Sequence, residues 1–417
     1  MKKKIIIKGP LLSRSGYGEQ SRFALRSLRS RPDLFEIYIL NIGWGHTGQI
    51  TDNNEEHQFM MERITQTALH LQNGGTFDIS LQITVPNEFE KIAPLNIGYT
   101  AGIETTKVSP QWIEKINATM DRVITISSHS QKVMESTTYD VKDQNGNEVP
   151  NWGVTVPVTY VNYPVRQTEA VPIDINLETE NNFLVVSQWA IRKNLENTIK
   201  WFAEKFKDDP TAGLILKTNS AADSVRDREL TSARLNQLLT QVPERQCKIY
   251  LVHGELTPEN LTWLYQHPTM KALINIAHGE GYGLPMFEAA YNGLPLITLT
   301  WSGQLDFITK PNKKKKAVPR IIKVDYDINN VQPPAVWPGV IEKDAMWAYA
   351  REASFKRALG EALEKEKHYK KEATALQTHI LEKFAPETLY QEFVSNIYDP
   401  SPEEIEWLSQ MDEIQIL

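Results

Sequence analysis

Two glutamates, Glu280 and Glu288, lie in the stretch 277–297, AHGEGYGLPMFEAAYNGLPLI, with Gly279, Gly281 and Gly283 around the first of them. An apolar run at 272–276 leads into the glycines, Pro285 suits a first helical turn, and Asn292-Gly293 closes the helix before a second apolar run at 294–299. This reads as strand, glycine loop, helix N-terminus, strand. Such a loop offers backbone N–H groups, and the helix dipole favours an anion there. The carboxylates call for a different ligand group. An ionised carboxylate repels phosphate but accepts two hydrogen bonds from vicinal hydroxyls. A polyol joined to a diphosphate is a nucleotide sugar. The plainer reading is an ordinary βαβ turn carrying two solvated glutamates.

The spacing Glu280-GYGLPMF-Glu288, followed by Ala-Ala-x-x-Gly-Leu-Pro, resembles the donor-site motif of retaining GT-B glycosyltransferases (glycosyl transferases group 1 type). The resemblance implies that Glu280 approaches hydroxyls of the donor sugar and Glu288 holds the nucleotide ribose. The backbone of Gly281, Tyr282, Gly283 and Leu284 would contact sugar and diphosphate. In that family a strand is followed by an arginine and, five residues on, a lysine, which together neutralise the leaving diphosphate. Lys193, after the apolar run 183–187, matches the lysine, while Gln188 stands where the arginine belongs. Adjacent Arg192 is the candidate replacement. A glycine in the first strand–loop–helix unit lets the backbone approach the diphosphate in the family, and Gly16 and Gly18 fall there.

The elements that must position these groups follow from the rest of the chain. With 417 residues, 41% hydrophobic and 23% charged, the protein suits two α/β domains. The net charge of −7 gives no global basic footprint for nucleic acid. A single cysteine, Cys247, forbids an intrachain disulfide and fits a reducing cytoplasm, or the host cytoplasm if the chain is phage-encoded. MKKKIIIKGP reads as a first strand rather than a leader, and no apolar run approaches the ~18 residues of a membrane span.

Apolar runs at 4–8, 36–41, 77–84, 95–100 and 123–126 read as strands of a first Rossmann-like domain, 1–165. Those at 183–187, 214–217, 249–252, 272–276 and 294–299 read as strands of a second, 166–385. The helix from about residue 19 carries Arg22, Arg26 and Arg29 on one face, either solvated or facing a phosphate-bearing acceptor or membrane. Glu104 follows the strand 95–100, where ligands of parallel sheets bind; it suits either substrate work or a cap on the next helix. Ser127 to Ser130 open a helix, and His129 there is either an acceptor-side group or a surface residue. Asn145-Gly146 marks a hairpin whose second strand is placed at 154–161, and 164–182 reads as a linker. The lysines 313–316 make a solvated loop or a nucleic-acid contact. Residues 331–338 read as extended, with helices resuming at 344 and a last helix in 386–417 that crosses back to the first domain, as in GT-B folds.

The fold expected is therefore α/β, GT-B, with two Rossmann-like domains facing a central cleft. The activity implied is metal-independent transfer of a sugar from a UDP- or GDP-sugar to an acceptor hydroxyl with retained configuration. The nucleotide sugar is substrate, no cofactor is needed, and Lys193, Glu280 and Glu104 are the catalytic candidates. The acceptor stays open between DNA, a glycan, a lipid-linked or a small molecule; some tailed-phage relatives act on hydroxylated DNA bases. One rival is a nucleotide-sugar epimerase on a related scaffold, which needs no acceptor. Another is a non-catalytic binding protein, for which Glu280, Glu288 and Lys193 together would have no use.

Overall fold

The computed structural model describes residues 2–45, 47–51, 54–311, 317–401 and 404. The lysines 313–316 and most of the C-terminal segment beyond 401 lie outside them. The first half runs β1 (Lys3–Gly9), α1 (Gly16–Arg29), β2 (Phe35–Asn41), α2 (Glu55–Gln72), β3 (Ile79–Gln82) and β4 (Leu95–Thr100). It continues with α3 (Pro110–Thr119), β5 (Arg122–Thr125), α4 (Ser128–Ser136), the hairpin β6 (Tyr139–Lys142) and β7 (Glu148–Trp152), and β8 (Val158–Tyr160). Six of these strands form one parallel sheet in the order β2-β1-β3-β4-β5-β8. Helices cover both faces, which is why Ile5, Ile6, Ile7, Ile97 and Ile124 form near-continuous buried runs. The hairpin closes on β7, earlier than expected, and the residues around 158 join the main sheet instead.

A stretch without helix or strand, 161–180, leads to the second half. This opens with β9 (Asn181–Val186), α5 (Leu195–Lys205), β10 (Ala212–Lys217), α6 (Val225–Leu239), β11 (Lys248–Val252) and α7 (Pro258–Gln266). Next come β12 (Met270–Asn275), α8 (Leu284–Tyr291), β13 (Leu296–Leu299), α9 (Leu305–Ile308), β14 (Thr309–Pro311), β15 (Ala317–Pro319) and β16 (Ile322–Val324). Its parallel sheet has the order β11-β10-β9-β12-β13-β16. The strand order reverses between β9 and β12, and crevices at such switch points hold ligands in open α/β sheets.

Where the sequence suggested an extended segment and then helix, an antiparallel flap intervenes: β17 (Tyr326–Asn330) and β18 (Met346–Ala350). A small core of Val331, Ala345 and Trp347 holds it. The flap reaches across to the first half. Thr106 N donates to Met346 O (2.9 Å), Met346 N returns to Thr106 Oγ1 (2.9 Å), and Asn87 Nδ2 donates to Gly339 O (3.1 Å). Helices α10 (Glu352–Glu364), α11 (Glu366–Lys383) and α12 (Pro386–Ile397) close the chain. Helix α12 lies on the first half: Phe393 packs edge-on against Phe23 at 5.1 Å, and Asn396 O accepts from Arg122 Nη1 at 3.1 Å. No helix among the described residues is long and apolar enough to cross a membrane.

The basic face of α1 is taken up by contacts within the protein. Arg22 is buried, donates to Leu11 O (2.8 Å) and Ser13 O (2.9 Å), and pairs with Glu19 at 3.1 Å. Arg26 is held by Glu19 (2.7 Å) and Glu56 (2.6 Å), and Arg29 lies over the Phe59 ring with Glu55 3.6 Å away. The acids of α1 and α2 neutralise it.

Candidate active site

Four side chains predicted separately from sequence meet at one point. Lys193 and Arg192 come from the turn after β9, Glu280 from the loop after β12, and Glu104 from the loop after β4. The first three therefore sit at the switch point of the second sheet, and Glu104 faces them from the carboxyl edge of the first. Lys193 Nζ contacts both Glu280 oxygens, at 2.6 and 2.8 Å. Arg192 Nη1 reaches Glu280 Oε2 (3.0 Å) and Gly279 O (2.7 Å), while its Nη2 lies 3.2 Å from Glu104 Oε1. Arg192 is thus a bridge between the two halves. Asn275 Nδ2, missed in the sequence reading, donates to Glu280 Oε1 at 3.0 Å.

The electrostatics follow from this packing. Burial alone would raise the Glu280 carboxyl, but Lys193 and Arg192 overcome it and hold the group at about 2. Burial and the neighbouring Arg192 pull the Lys193 ammonium below its ordinary value, against the attraction of Glu280. Glu104 does not cap α3. Ser109 is the cap, accepting from Gln111 N at 3.3 Å, which removes the helix-cap reading. Gln188 turns away, its Nε2 donating to Ser220 O at 3.2 Å.

Glu288 has a different setting. Its Oε2 accepts from Tyr265 OH at 2.8 Å, and burial, with Glu19 adding to it, raises the carboxyl to about 7 against that hydrogen bond. Arg166, from the stretch between the halves, lies 3.8 Å from Glu19, and its carbonyl accepts from Tyr291 OH at 3.1 Å. The sequence carried no signal for either Tyr265 or Arg166, which are remote from the motif.

Two glycines of the loop are pressed against the first half. A methyl at Gly279 would lie 1.9 Å from Glu104 O, and one at Gly281 2.3 Å from Ala101 O. The missing side chains let the two halves touch backbone to backbone. Glu280 N is taken up by Ser302 Oγ at 3.0 Å. Gly283 adopts a left-handed φ of +95° directly before α8, a conformation that favours glycine. Leu284 is the first residue of α8. Tyr282 brings no side chain to the cleft; its ring is buried among Tyr163, Phe287 and Phe307.

The two glycines of the first pair have different settings. Helix α1 starts at Gly16 because Ser15 Oγ accepts from Gly18 N (3.0 Å). Gly18 packs against Ser13 O, whereas Gly16 faces open space. His129 is no surface residue; it stands edge-on to Trp301 at 5.2 Å, and burial lowers it to about 4.

No family model matches the chain, and no curated protein matches it. Solved structures do. A sucrose-phosphate synthase from Thermosynechococcus elongatus superposes with a TM-score of 0.58 at 13% identity, over 94% of this chain and 98% of that one. HepE of Anabaena, in complex with UDP-glucose, gives 0.55 at 11% identity over 94% and 99%. A UDP-forming trehalose-phosphate synthase from Burkholderia xenovorans gives 0.56 at 9% over 95% and 99%. Full-length agreement on both sides, with the two parallel sheets described above, establishes the architecture: two Rossmann-like domains facing a central cleft, the GT-B fold.

Proposed function

We propose that this protein is a retaining, metal-independent glycosyltransferase that moves a sugar from a UDP- or GDP-sugar to an acceptor hydroxyl. The observation that carries the reading is the convergence of Lys193, Arg192 and Glu280 at the switch point of the second sheet, with Glu104 opposite. Residues 166–385 take the donor and residues 1–165 the acceptor. In this reading Glu280 orients donor-sugar hydroxyls, Glu288 holds the ribose, and Lys193 stabilises the diphosphate as the glycosidic bond breaks. The N-terminus of α1 at Gly16 and the start of α8 at Leu284 supply further positive potential. The leaving phosphate takes the acceptor proton, so no carboxylate has to act as base. Similarity in fold to a structure solved with UDP-glucose supports the donor class. Release of UDP or GDP from a panel of nucleotide sugars tests the reading.

Two outcomes are expected here. Because burial raises the Glu288 carboxyl to about 7 in the free protein and it must be ionised to accept hydrogen bonds from two hydroxyls, its proton has to leave first. Donor affinity should therefore rise with pH through 7 and level off above it, falling about tenfold per unit well below that value. Calorimetry with a nucleotide sugar, whose diphosphate stays ionised over this range, measures it, and Glu288→Gln should flatten the profile. An unchanged slope in the variant removes Glu288 from the ribose.

Glu104→Gln keeps the side chain's shape and an acceptor for Arg192 but loses the charge. It should lower acceptor-stimulated diphosphate release by about tenfold or more, while sparing donor affinity and slow hydrolysis, since water needs no positioning by an acceptor site. Equal loss of transfer and hydrolysis would place Glu104 on the donor.

A further inference from the structure

Strand β18 pairs with β17 along one edge, and its other edge is taken up by loops from opposite halves of the protein. Met346 and Ala348 are alternate residues, so their N–H and C=O groups point the same way. Met346 exchanges two hydrogen bonds with Thr106, as described above. Ala348 does the same with His278: its N donates to His278 O (2.9 Å), and His278 Nδ1 donates to Ala348 O (2.7 Å). Thr106 stands two residues after Glu104, and His278 two residues before Glu280. His278 N also donates to Arg192 O at 2.8 Å. Alternate residues of a strand lie about 7 Å apart, which fixes the spacing of the two loops. At that spacing Arg192 reaches Glu104 (3.2 Å) and Glu280 (3.0 Å) together.

His278 is held from every side. It is buried, and its ring stacks on Trp347 at 5.0 Å and 17°. Burial lowers its pKa, which keeps the ring neutral. Ala348 O can only accept, so the single ring proton is on Nδ1, and Nε2 is left to accept from Gln332 Nε2 at 3.4 Å. Gln332 is itself oriented, because its Oε1 accepts from Trp347 Nε1 (3.0 Å) and Tyr349 OH.

We propose that β18 is a splint across the cleft, with His278 and Thr106 as positioning residues that set the distance between Glu104 and Glu280. Its consequence for catalysis rests on the glycosyl-transfer reading, in which donor and acceptor must be held within bonding distance. Each residue acts through the loop it anchors and not on the substrate. The Lys107–Asp344 pair seats the same flap, but its acid is 60% exposed and the pair adds little.

The test is hydrogen–deuterium exchange by mass spectrometry on the full chain, with thermal midpoints to check the fold of each variant. His278→Phe keeps a ring on Trp347 but removes the N–H to Ala348 O. His278→Asn removes the ring but keeps an N–H in the Nδ1 position. Thr106→Val removes the acceptor for Met346 N at the same side-chain size. In a splint, a cut at one end loosens the other, since coupling between sites is reciprocal. His278→Phe should therefore speed exchange at the distant Thr106 amide about tenfold or more, as expected for losing one buried hydrogen bond. Thr106→Val should do the same at the Ala348 and His278 amides, and His278→Asn should stay close to the unaltered protein. The inference is overturned if faster exchange stays at the altered end, or if His278→Asn loosens Thr106 as much as His278→Phe. On a nucleotide sugar that the protein cleaves, His278→Phe and Thr106→Val should lower kcat for transfer about tenfold or more with the donor KM little moved, and His278→Asn should restore it. A raised KM with unchanged kcat would also overturn it. If the unaltered protein cleaves no UDP- or GDP-sugar, the transfer reading fails, and the exchange measurement alone decides the splint.

Discussion

Glu280→Ala is expected to destabilise the second half by about 3–5 kcal/mol and to abolish donor turnover, because it removes the buried counter-charge of two largely enclosed cations at once. The Glu280 side chain is 7% exposed, and Lys193 and Arg192 are 17% and 24% exposed. Without the carboxylate, Lys193 and Arg192 face each other with only Glu104, Gly279 O and Asn275 nearby. Denaturant unfolding measures the first effect and nucleotide-sugar cleavage the second. A double variant separates them. Adding Lys193→Met removes one orphaned charge, so stability should recover in part, while activity should not return. If the double variant is no more stable than Glu280→Ala alone, Lys193 and Glu280 do not form the coupled pair seen here.

Lys193→Ala should reduce turnover about 10²- to 10³-fold, the usual loss when one preorganised group facing developing charge is deleted. The Michaelis constant for the donor should move far less, because negative charge on the diphosphate grows during bond cleavage and the lysine is worth more in the transition state. Arg192 cannot stand in fully, since its guanidinium is committed to Gly279 O, Glu280 and Glu104. Gln188 carries no charge and points to Ser220. A variant in which only the Michaelis constant rises would make Lys193 a ground-state anchor.

The sequence made the strands of the second sheet readable because they are short apolar runs and the chemistry-bearing residues sit directly after them. Lys193 and Glu280 were brought together by the resemblance to the GT-B donor-site motif. What escaped were contacts between residues far apart in the chain. Glu56 and Glu55, which meet Arg26 and Arg29, lie on α2, so the extent of neutralisation could not be read from α1 by itself. Tyr265 reaches Glu288 across 23 residues with no local pattern to announce it. Gly279 and Gly281 show a subtler limit. A glycine that admits a ligand and one that admits another stretch of backbone look alike in sequence, and here both admit the first half. The flap at 326–350 was hidden because its prolines suggested a spacer, whereas Trp347 and Val331 give it a core.

The central claim is that a nucleotide sugar is cleaved in this cleft with its anomeric configuration kept. Proton NMR of a UDP- or GDP-sugar incubated with the protein follows both the donor and the first-formed sugar anomer. The expected result is release of the nucleoside diphosphate with the sugar appearing first in the donor's own anomeric configuration, before mutarotation. An inverted first product would contradict retention, an epimerised nucleotide sugar would make the protein an epimerase, and intact donor throughout would contradict the account as a whole.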